Sequence, residues 1–397
     1  MKMTYNLGIL FALRFFSSLI PAYVIERLYW QERGMTIGMV VYTEIIYAVT
    51  IILLEVPTGI AADRWGRKPM LVLGALLGCA EFLLLLYASS FWHFALVVFL
   101  AGISRSACSG AENAMLFDTL MQQGRASAFE RQLGLLNVFD LSGAILAALS
   151  GSWLAGHYDL ELNYWLSLGS AAAALLLTLL LVEPHAAHSG EAPMPFSHYV
   201  RASLRFFRSR RSLVPVLLSG MMAGSAVGFI DEFWQLYVNG IGLPVVAFGA
   251  VSAALMLLRL PGSLLAPWLV GRVGYRVLLV SVTVVCAAGF GTAAVSRDSA
   301  GLAALLAVCL FSGMMEPLVT GYLHHRADSS MRATIDSFQS LGLNAVHILT
   351  GLGFGALASR TDVFGGYGFV ALVCTAFLLW FLAASRRIEE DGGHQAG

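Results

Sequence analysis

Charged side chains interrupt several long apolar runs of this sequence, and they are the residues best placed to do chemistry. Arg14, Glu112 and Asp231 each lie well inside such a run. An ionised side chain at the centre of a membrane costs at least about 2.5 kcal/mol, so it is expected to pair or to face a water-filled cavity. The candidates for lining a polar cavity are Arg14, Glu44, Arg105, Trp234 and Arg259.

Acids within the apolar runs are candidates for proton exchange, namely Glu112, Asp231, Glu232 and Glu316. Burial disfavours the charged form of a carboxylate, so a buried acid can alternate between its protonated and charged forms near neutral pH. The alternative for each acid is a static salt bridge, such as one between Glu112 and Arg105, two helical turns away on the same face. Glu81 and Asp140 are weaker candidates, and His347 is more typical of a packed or hydrogen-bonded histidine.

The composition places most of the chain in lipid. Of its 397 residues, 58% are hydrophobic and 12% are charged, whereas an ordinary soluble domain carries about a quarter charged residues. Lys plus Arg equals Asp plus Glu at 24 each, so the net charge gives no indication of a nucleic-acid partner. The sequence offers no nucleotide-binding loop, metal cluster or pairing of nucleophile with base. We therefore expect neither an enzyme nor a cofactor or metal.

The apolar runs are each long enough to cross a hydrocarbon core of about 30 Å. Polar or Gly/Pro breaks separate twelve of them, and a longer polar stretch divides these into two sets of six. The predicted spans lie near Asn6 to Ile25, Ile37 to Ala62, Pro69 to Ser90, Phe94 to Leu120, Arg131 to Ala155, Tyr164 to Val182, Leu213 to Val238, Pro244 to Gly271, Gly274 to Ala294, Leu302 to His325, Ala333 to Ala358 and Gly365 to Ser385.

Basic residues predict the orientation, because short cytoplasmic loops are enriched in Lys and Arg. Placing both termini in the cytoplasm puts most basic loop residues on that side and leaves Arg27, Arg33, Arg297 and Arg360 outside. The predicted domains are an N-terminal bundle over residues 1–182, a cytoplasmic linker over 183–212, a C-terminal bundle over 213–385 and a cytoplasmic tail over 386–397. Residues 198–212 of the linker are typical either of an interfacial helix or of a solvated basic segment.

Repeated residues indicate that the two sets of spans are related. Gly34 and Gly242, Tyr29 and Tyr237, and Gly66 and Gly274 are each separated by 208 residues. Such internal repeats are common in transporters, in which two bundles rock around a central site. The sequence thus predicts two six-helix bundles related by pseudo-symmetry.

The loop between the second and third spans carries a motif. It runs Gly59-Ile60-Ala61-Ala62-Asp63-Arg64-Trp65-Gly66-Arg67-Lys68. This loop resembles the signature loop of the major facilitator superfamily, a Gly followed by Asp-Arg, one residue, and Gly-Arg-Lys, at every characteristic position. With the span number and the repeat, the resemblance covers essentially the whole chain. It implies an all-α integral membrane protein with twelve transmembrane helices in two bundles, and a secondary transporter.

The resemblance also implies a conformational switch. In the family, the acid corresponding to Asp63 is thought to brace the eleventh helix, which here begins near Ala333, in the outward-open state. Arg67 would then pair with an acid at the inner end of the fourth span, which in this sequence is Asp118. Enforcement of the positive-inside topology alone would account for Arg64 and Lys68, but not for an acid.

The glycines of the loop have separate expected uses. Gly59 would let neighbouring helices approach closely, and Gly66 permits a tight turn. In the second half, residues 271–276 form a partial copy of the loop. Gly271 stands where the first half has the acid, and Pro267, four residues before it, stands where the first half has the leading Gly. We therefore expect a latch between an acid and a helix end in the first half only.

Two more stretches, residues 109–118 and 332–337, resemble a bacterial branch of the family that is rich in drug-efflux members. Arg105 resembles the buried arginine of the family's fourth-helix motif. The fifth span, however, lacks the Gly-Pro pair usual in drug antiporters of the family, so the direction of exchange stays open.

We therefore expect a multi-pass protein of a bacterial inner membrane that works as a monomer by alternating access. The leading hypothesis is export of a small amphipathic molecule in exchange for protons. Proton symport or facilitated uptake of a nutrient is the nearest alternative, and a membrane enzyme or a transport-dead sensor is a remote one. The expected partners are a small-molecule substrate, protons and the bilayer, without nucleic acid.

Overall fold

A computed structural model of the chain describes residues 5–184, 207–208, 210–326, 329–386 and 388. The described residues are almost entirely helical and contain no strand. Among them are 12 helices, some with a break, that are long and apolar enough to cross a membrane. The predicted all-α class and the predicted number of spans are confirmed.

The spans lie close to the predicted positions, and their ends differ by up to seven residues, some extending into the polar loops and others stopping short of the prediction. The helix that contains the second span, for example, runs from Ile37 to Trp65 and so ends within the motif loop. In chain order the spans are Asn6–Val24, Ile37–Glu55, Arg67–Leu86, Phe91–Gln122, Ala126–Ala155, Glu161–Leu180, Val214–Gly240, Val245–Val273, Tyr275–Val295, Ser299–His325, Phe338–Ala358 and Val363–Ala384.

Two compact units make up the chain. One comprises Met1–Pro193 with Pro244–Ala253, and the other comprises Met194–Leu243 with Ala254–Gly397. The predicted domain boundaries stay a prediction, since most of the linker over 183–212, including nearly all of its candidate interfacial helix, lies outside the described residues. The tail beyond residue 388 lies outside them as well.

The first unit contains the helices Asn6–Ser18, Glu26–Glu32, Ile37–Trp65, Arg67–Leu86, Phe91–Gln122, Phe129–Ala155 and Glu161–Leu180. A core of aliphatic residues and methionines, including Leu10, Met70 and Met115, joins its first, third and fourth spans. Leucines such as Leu53 and Leu76 instead point outwards and are more than half exposed. Exposed leucines on long apolar helices are expected where the neighbour is lipid.

The second unit is built from the helices Val214–Gly240, Phe248–Leu257, Arg259–Val273, Tyr275–Val295, Ser299–Ser312, Met315–His325, Ser329–Ala358 and Val363–Ala384, the second of which begins in the first unit. Its core is aromatic. Phe354 stacks on both Phe229 and Phe233, with ring centroids 5.0 and 4.6 Å apart. Tyr367 packs edge-on against Phe354 and donates a hydrogen bond to the carbonyl of Phe229. Offset and edge-on ring pairs each contribute roughly 0.5–1.5 kcal/mol beyond the burial of their area.

Backbone conformation confirms the internal repeat. Gly34 and Gly242 have φ angles of 85° and 80°, and Gly66 and Gly274 have φ angles of 101° and 79°. Gly66 and Gly274 each end one span helix and begin the next. Since L-amino acids with a side chain rarely adopt such angles, the repeated glycines mark the same turns in both halves.

Tyr29 and Tyr237 also occupy matching places. The hydroxyl of Tyr29 donates to the carbonyl of Leu85 at the end of the third span, and that of Tyr237 donates to the carbonyl of Ser296 just after the ninth. Burial raises the pKa of Tyr29 to about 12, although nearby Arg33 opposes the shift. The Tyr29 hydroxyl therefore keeps its proton across the physiological range and remains a donor.

We expect Gly34→Ala and Gly242→Ala each to destabilise the protein by roughly 1–2 kcal/mol, because alanine is strained at a positive φ. A lowered midpoint of thermal unfolding in detergent would report this. Gly8→Ala and Gly291→Ala are matched controls, because both positions are helical and a Cβ there meets nothing within 4 Å. Equal midpoints for turn variants and controls would contradict the assignment.

Candidate functional site

Charged side chains of the spans form three groups. We call Arg14, Ser18, Glu112 and Asp140 the Arg14 cluster, and Asp231, Arg259 and Cys309 the Arg259 group. The basic-loop cluster comprises Gly66, Arg67, Lys68, Asp118 and Glu183 and lies where the third span begins. The first and third groups belong to the first unit and the second to the other.

The Arg14 cluster joins the first, fourth and fifth spans. Nη1 of Arg14 lies 2.7 Å from Oε2 of Glu112, and its Nε lies 3.1 Å from Oδ1 of Asp140. The hydroxyl of Ser18 donates to the same oxygen of Asp140 at 2.5 Å. The guanidinium of Arg14 therefore forms ion pairs with two carboxylates.

Two buried atoms of the cluster make no hydrogen bond among the described residues, namely Nε of Arg14 and Oε1 of Glu112. Nε of Arg14 still lies within ion-pair distance of Asp140, whereas Oε1 of Glu112 has no donor. A buried polar atom without a partner costs roughly 1–3 kcal/mol. The cluster therefore presents an acceptor to a proton or a ligand.

Glycines of the fifth span let Arg14 reach Asp140. A Cβ at Gly143 would lie 2.5 Å from the carbonyl oxygen of Phe15, and one at Gly151 would lie 2.5 Å from that of Pro21. Only glycine permits so close an approach of two helix backbones.

Arg105 is not the partner of Glu112, contrary to the static pair considered from the sequence. Arg105 is exposed and makes no ion pair in the described part of the chain, whereas Glu112 pairs with Arg14. Seven residues along a helix span about 10 Å, so Arg14 on a neighbouring helix is the nearer cation.

Glu44 forms an ion pair away from the Arg14 cluster. Its Oε1 lies 2.7 Å from Nη2 of Arg27, whose side chain is 5% exposed. The guanidinium of Arg27 also lies 4.6 Å from the ring centroid of Trp30. These contacts fix the connection between the first two spans.

The Arg259 group joins the seventh, eighth and tenth spans. The guanidinium of Arg259 donates a hydrogen bond to each carboxylate oxygen of Asp231, and its Nη1 lies 3.2 Å from Oδ2. Nη2 also lies 3.9 Å from Sγ of Cys309. This bidentate pair carries no net charge.

The other candidates of the second unit lie around this group. Glu232 is half-buried beside Asp231, and Trp234 is buried one helical turn on. Glu316 is exposed, in the first turn of the helix Met315–His325. Nδ1 of His347 donates a hydrogen bond to the carbonyl of Ser225 at 3.2 Å, and the ring stacks on Phe229, as expected of a packed histidine.

Both the eighth and the tenth spans are broken where they meet near Arg259. The eighth divides into Phe248–Leu257 and Arg259–Val273, and the tenth into Ser299–Ser312 and Met315–His325. Pro261 and Pro317 lie just beyond the breaks. Proline lacks the N–H that would bond to the carbonyl four residues earlier, which accounts for both interruptions.

Glycines bring the two breaks into backbone contact. A Cβ at Gly313 would overlap the carbonyl oxygen of Arg259, and one at Gly262 would overlap that of Leu310. The backbone that carries Arg259 is thus packed against the break in the tenth span. Interrupted helices at membrane depth are typical of binding and moving parts of transporters.

In the basic-loop cluster, Nε of Arg67 lies 3.8 Å from Oδ2 of Asp118, so the ion pair implied by the resemblance is confirmed. Glu183 accepts hydrogen bonds from the backbone N–H groups of Arg67 and Lys68 at 2.7 and 2.6 Å. A carboxylate at a helix N-terminus satisfies unpaired donors and favours the helix dipole.

Gly66 is required here for two reasons. Its φ angle is 101°, and a Cβ would lie 2.9 Å from the carboxyl carbon of Glu183. The side chain of Lys68 donates to the carbonyl of Leu179 at 2.8 Å. The start of the third span is thereby fixed to the end of the sixth.

Other parts of the predicted switch differ or are not described. A Cβ at Gly59 would meet nothing within 4 Å among the described residues, and the close helix approach expected there stays a prediction. Arg64 is exposed. The side chains of Asp63 and Ala333 lie outside the described residues. Sequence reasoning missed Glu183, although an acid directly after an apolar run was a usable signal.

We expect Glu183→Ala to lower stability by about 1 kcal/mol, the usual effect of losing a helix cap. Glu183→Gln should be intermediate, because one oxygen remains as an acceptor. Thermal unfolding in detergent measures both, with Glu32→Gln as the control, because Glu32 is exposed and makes no ion pair in the described part of the chain. Wild-type stability of Glu183→Ala would contradict the capping role.

Gly313→Ala is expected to destabilise the protein by about 1–3 kcal/mol, because the new methyl group must displace backbone. Gly271→Ala is the control, since a Cβ there meets nothing within 4 Å. It should be neutral or stabilising by up to about 1 kcal/mol. If both variants unfold at the same temperature, the two breaks do not touch as described.

Comparison with known proteins places this architecture in a family. Residues 6–349 match the model of the Major Facilitator Superfamily. The multidrug resistance protein MdtG of Salmonella paratyphi C is 25% identical over 379 residues, covering 90% of this chain and 87% of that protein. MdtG of Klebsiella pneumoniae is 25% identical over 257 residues, covering 63% and 60%.

Solved structures share the fold. The nucleoside transporter NupG superposes with a TM-score of 0.78 at 14% identity, covering 97% of this chain and 99% of that one. A POT family transporter in complex with 5-aminolevulinic acid gives a TM-score of 0.72 at 12% identity, covering 96% of each chain. The chain therefore belongs to the Major Facilitator Superfamily and is a multi-pass membrane transporter, not an enzyme.

Proposed function

We propose that this transporter exports a small amphipathic molecule across a bacterial inner membrane in exchange for protons, by alternating access. The similarity to MdtG, which is named a multidrug resistance protein, extends over 90% of the chain and supports export of a drug-like cargo. The Arg14 cluster supports proton coupling, because it holds a mid-span carboxylate oxygen without a donor among the described residues.

Proton exchange in the Arg14 cluster follows from its charges. With Glu112 and Asp140 ionised, the cluster carries one negative charge in excess of Arg14. A proton on Glu112 removes that excess, and Arg14 then keeps its contact with Asp140 alone. Because a charge in hydrocarbon is costly, protonation changes which conformations the first unit favours.

In the second unit, Asp231, Glu232 and Glu316 are the remaining candidates for proton exchange. Asp231 must release Arg259 before it can take up a proton, since both of its oxygens accept hydrogen bonds from that guanidinium. Release of Arg259 would act on the breaks of the eighth and tenth spans. Protonation of Asp231 would thereby be coupled to a change in the eighth and tenth spans. Glu316 lies exposed just beyond the break of the tenth span.

The basic-loop cluster acts as the conformational switch in this proposal. Arg67, Asp118 and Glu183 hold one end of the third span against its neighbours. The family resemblance implies a part for Asp63 in this switch as well, while Gly271 offers no acid in the second half. This end of the protein faces the cytoplasm, as do both termini, and the protein works as a monomer.

The proposal is tested in proteoliposomes that enclose a pH-sensitive dye, with a panel of amphipathic substrates. We expect substrate movement to drive protons in the opposite direction. Glu112→Gln should reduce the coupled proton flux at least tenfold while substrate counterflow persists at saturating concentration. Glu161→Gln, a neutralised acid at a helix start outside the spans' centre, serves as the control and should keep the wild-type flux.

Each other outcome rejects the proposal in a different way. Protons that move with the substrate would indicate symport, and substrate movement without protons would indicate facilitated diffusion. Absence of any transport would indicate a sensor. Unchanged coupling after neutralisation of each of the four acids, Glu112, Asp231, Glu232 and Glu316, would remove the carboxylates of the spans from the mechanism.

A further inference from the structure

One face of the helix Arg259–Val273 is apolar and exposed over most of its length. Leu260, Leu264 and Trp268 follow one another at intervals of four residues and are 43, 77 and 52% exposed. Residues four apart lie above one another on a helix, so these three form a continuous stripe. On the opposite face, Gly262 is buried, and a Cβ there would overlap the tenth span. The stripe therefore points away from the span on which this helix packs.

Arg272 places a positive charge at the end of the stripe. Its guanidinium carbon lies 3.7 Å from the ring centroid of Trp268, one helical turn earlier, so the two side chains stack. Arg272 is exposed and makes no ion pair in the described part of the chain. Stacking on a ring holds the planar guanidinium in one orientation and leaves its N–H groups available to an acceptor such as a phosphate.

The surroundings of Arg272 favour an anionic partner. At this end of the second unit, the described arginines are Arg208, Arg210, Arg272, Arg276, Arg326 and Arg386, and no described acid lies among them. The first unit differs, because Asp118 and Glu183 lie among the basic residues of its motif loop. The acids of the C-terminal tail, Glu389, Glu390 and Asp391, lie outside the described residues.

The dimensions of the stripe fit an acyl chain. Leu260 and Arg272 are twelve residues apart, which is about 18 Å along a helix. Half of a hydrocarbon core is about 15 Å thick. Tryptophan is enriched at the boundary between hydrocarbon and headgroups, and arginine extends its charged end toward the headgroups. With a phosphate at Arg272, an acyl chain would thus lie beside Leu264 and Leu260.

We propose that Leu260, Leu264, Trp268 and Arg272 form a binding site for one anionic phospholipid of the bilayer. The guanidinium binds the headgroup phosphate, and the leucines contact an acyl chain. The site is separate from the Arg14 cluster and goes beyond the proposed function, since it concerns neither the cargo nor protons. Because the stripe begins one residue after Arg259, a bound lipid stabilises the helix that carries the ion pair to Asp231.

Two lipids that differ in headgroup charge test the site. Phosphatidylglycerol and phosphatidylcholine with identical acyl chains are added separately to the purified full-length protein in detergent, and bound lipid is counted by native mass spectrometry. We expect phosphatidylglycerol to bind about fivefold more tightly, the usual effect of one basic residue near an anionic headgroup. It should also raise the midpoint of thermal unfolding more, because a ligand that binds only the folded protein stabilises it.

Variants locate the site. Arg272→Gln should abolish the preference for phosphatidylglycerol, and Arg272→Lys, which keeps the charge without the planar stack, should retain part of it. Trp268→Leu leaves every charge in place and should weaken phosphatidylglycerol binding about threefold, through loss of the cation–π contact. Arg360→Gln is the control, because Arg360 is exposed at the opposite end of the second unit and makes no ion pair in the described residues. It should bind as the wild type does.

Four results would overturn the assignment. Equal binding of the two lipids by the wild type would mean that another group, such as the acidic tail, neutralises Arg272. An unchanged preference in Arg272→Gln, or an equal loss in Arg360→Gln, would mean that only the overall charge attracts lipid. Displacement of phosphatidylglycerol by millimolar inorganic phosphate would reassign the site to free phosphate. Each of these results leaves the proposed function intact, since none of them measures transport.

Discussion

The absence of water in the hydrocarbon core is the constraint from which the rest of this structure follows. Every backbone group there must be satisfied within a helix, and every charge must pair or face a water-filled cavity. Arg14 and Arg259 accordingly join three spans each. Arg27, just after the first span, is likewise buried against Glu44. The ion pairs thus determine which helices lie side by side, and the glycines at Gly143 and Gly313 allow the approach that those pairs need.

Satisfaction of the helix ends produces a different kind of contact, which joins pairs of spans at their ends. In the first unit, Arg33 binds Glu161 where the sixth span begins, and Lys68 binds the carbonyl of Leu179 where it ends. In the second unit, Arg297 binds Asp362 and Arg276 binds Ser385 at the equivalent places. The third and sixth spans, and the ninth and twelfth, are therefore fastened at both ends. The first span is also joined to the sixth near both ends, through the side chain of Asn6 with the backbone of Val182 and through the backbone N–H of Ala22 with the hydroxyl of Ser167.

Local features were predictable from the sequence, whereas the rotation of one helix against another was not. Composition and run length gave the spans, and the 208-residue repeat located the turns at Gly34, Gly66, Gly242 and Gly274. The pairing of Arg67 with Asp118 came from the resemblance. The partner of Glu112 could not be found by spacing along its own helix, because Arg14 reaches it from another. The breaks at Pro261 and Pro317 carried a readable proline signal that the apolar runs concealed.

The two halves share their turns but not their chemistry, and the difference has a physical origin. Prolines interrupt the eighth and tenth spans, while the corresponding helices Ile37–Trp65 and Phe91–Gln122 are continuous. The carboxylates of the first half lie on the continuous helices Phe91–Gln122 and Phe129–Ala155, beside a first span that is interrupted after Ser18. In the second half, the Asp231–Arg259 pair joins the continuous helix Val214–Gly240 to the interrupted eighth span. Two carboxylates that share one guanidinium are suited to exchanging a proton. A neutral pair beside an interruption is suited to changing shape, because breaking it frees the backbone on either side of the interruption. After duplication of a six-helix half, the two halves would thus have diverged, one toward proton exchange and the other toward movement.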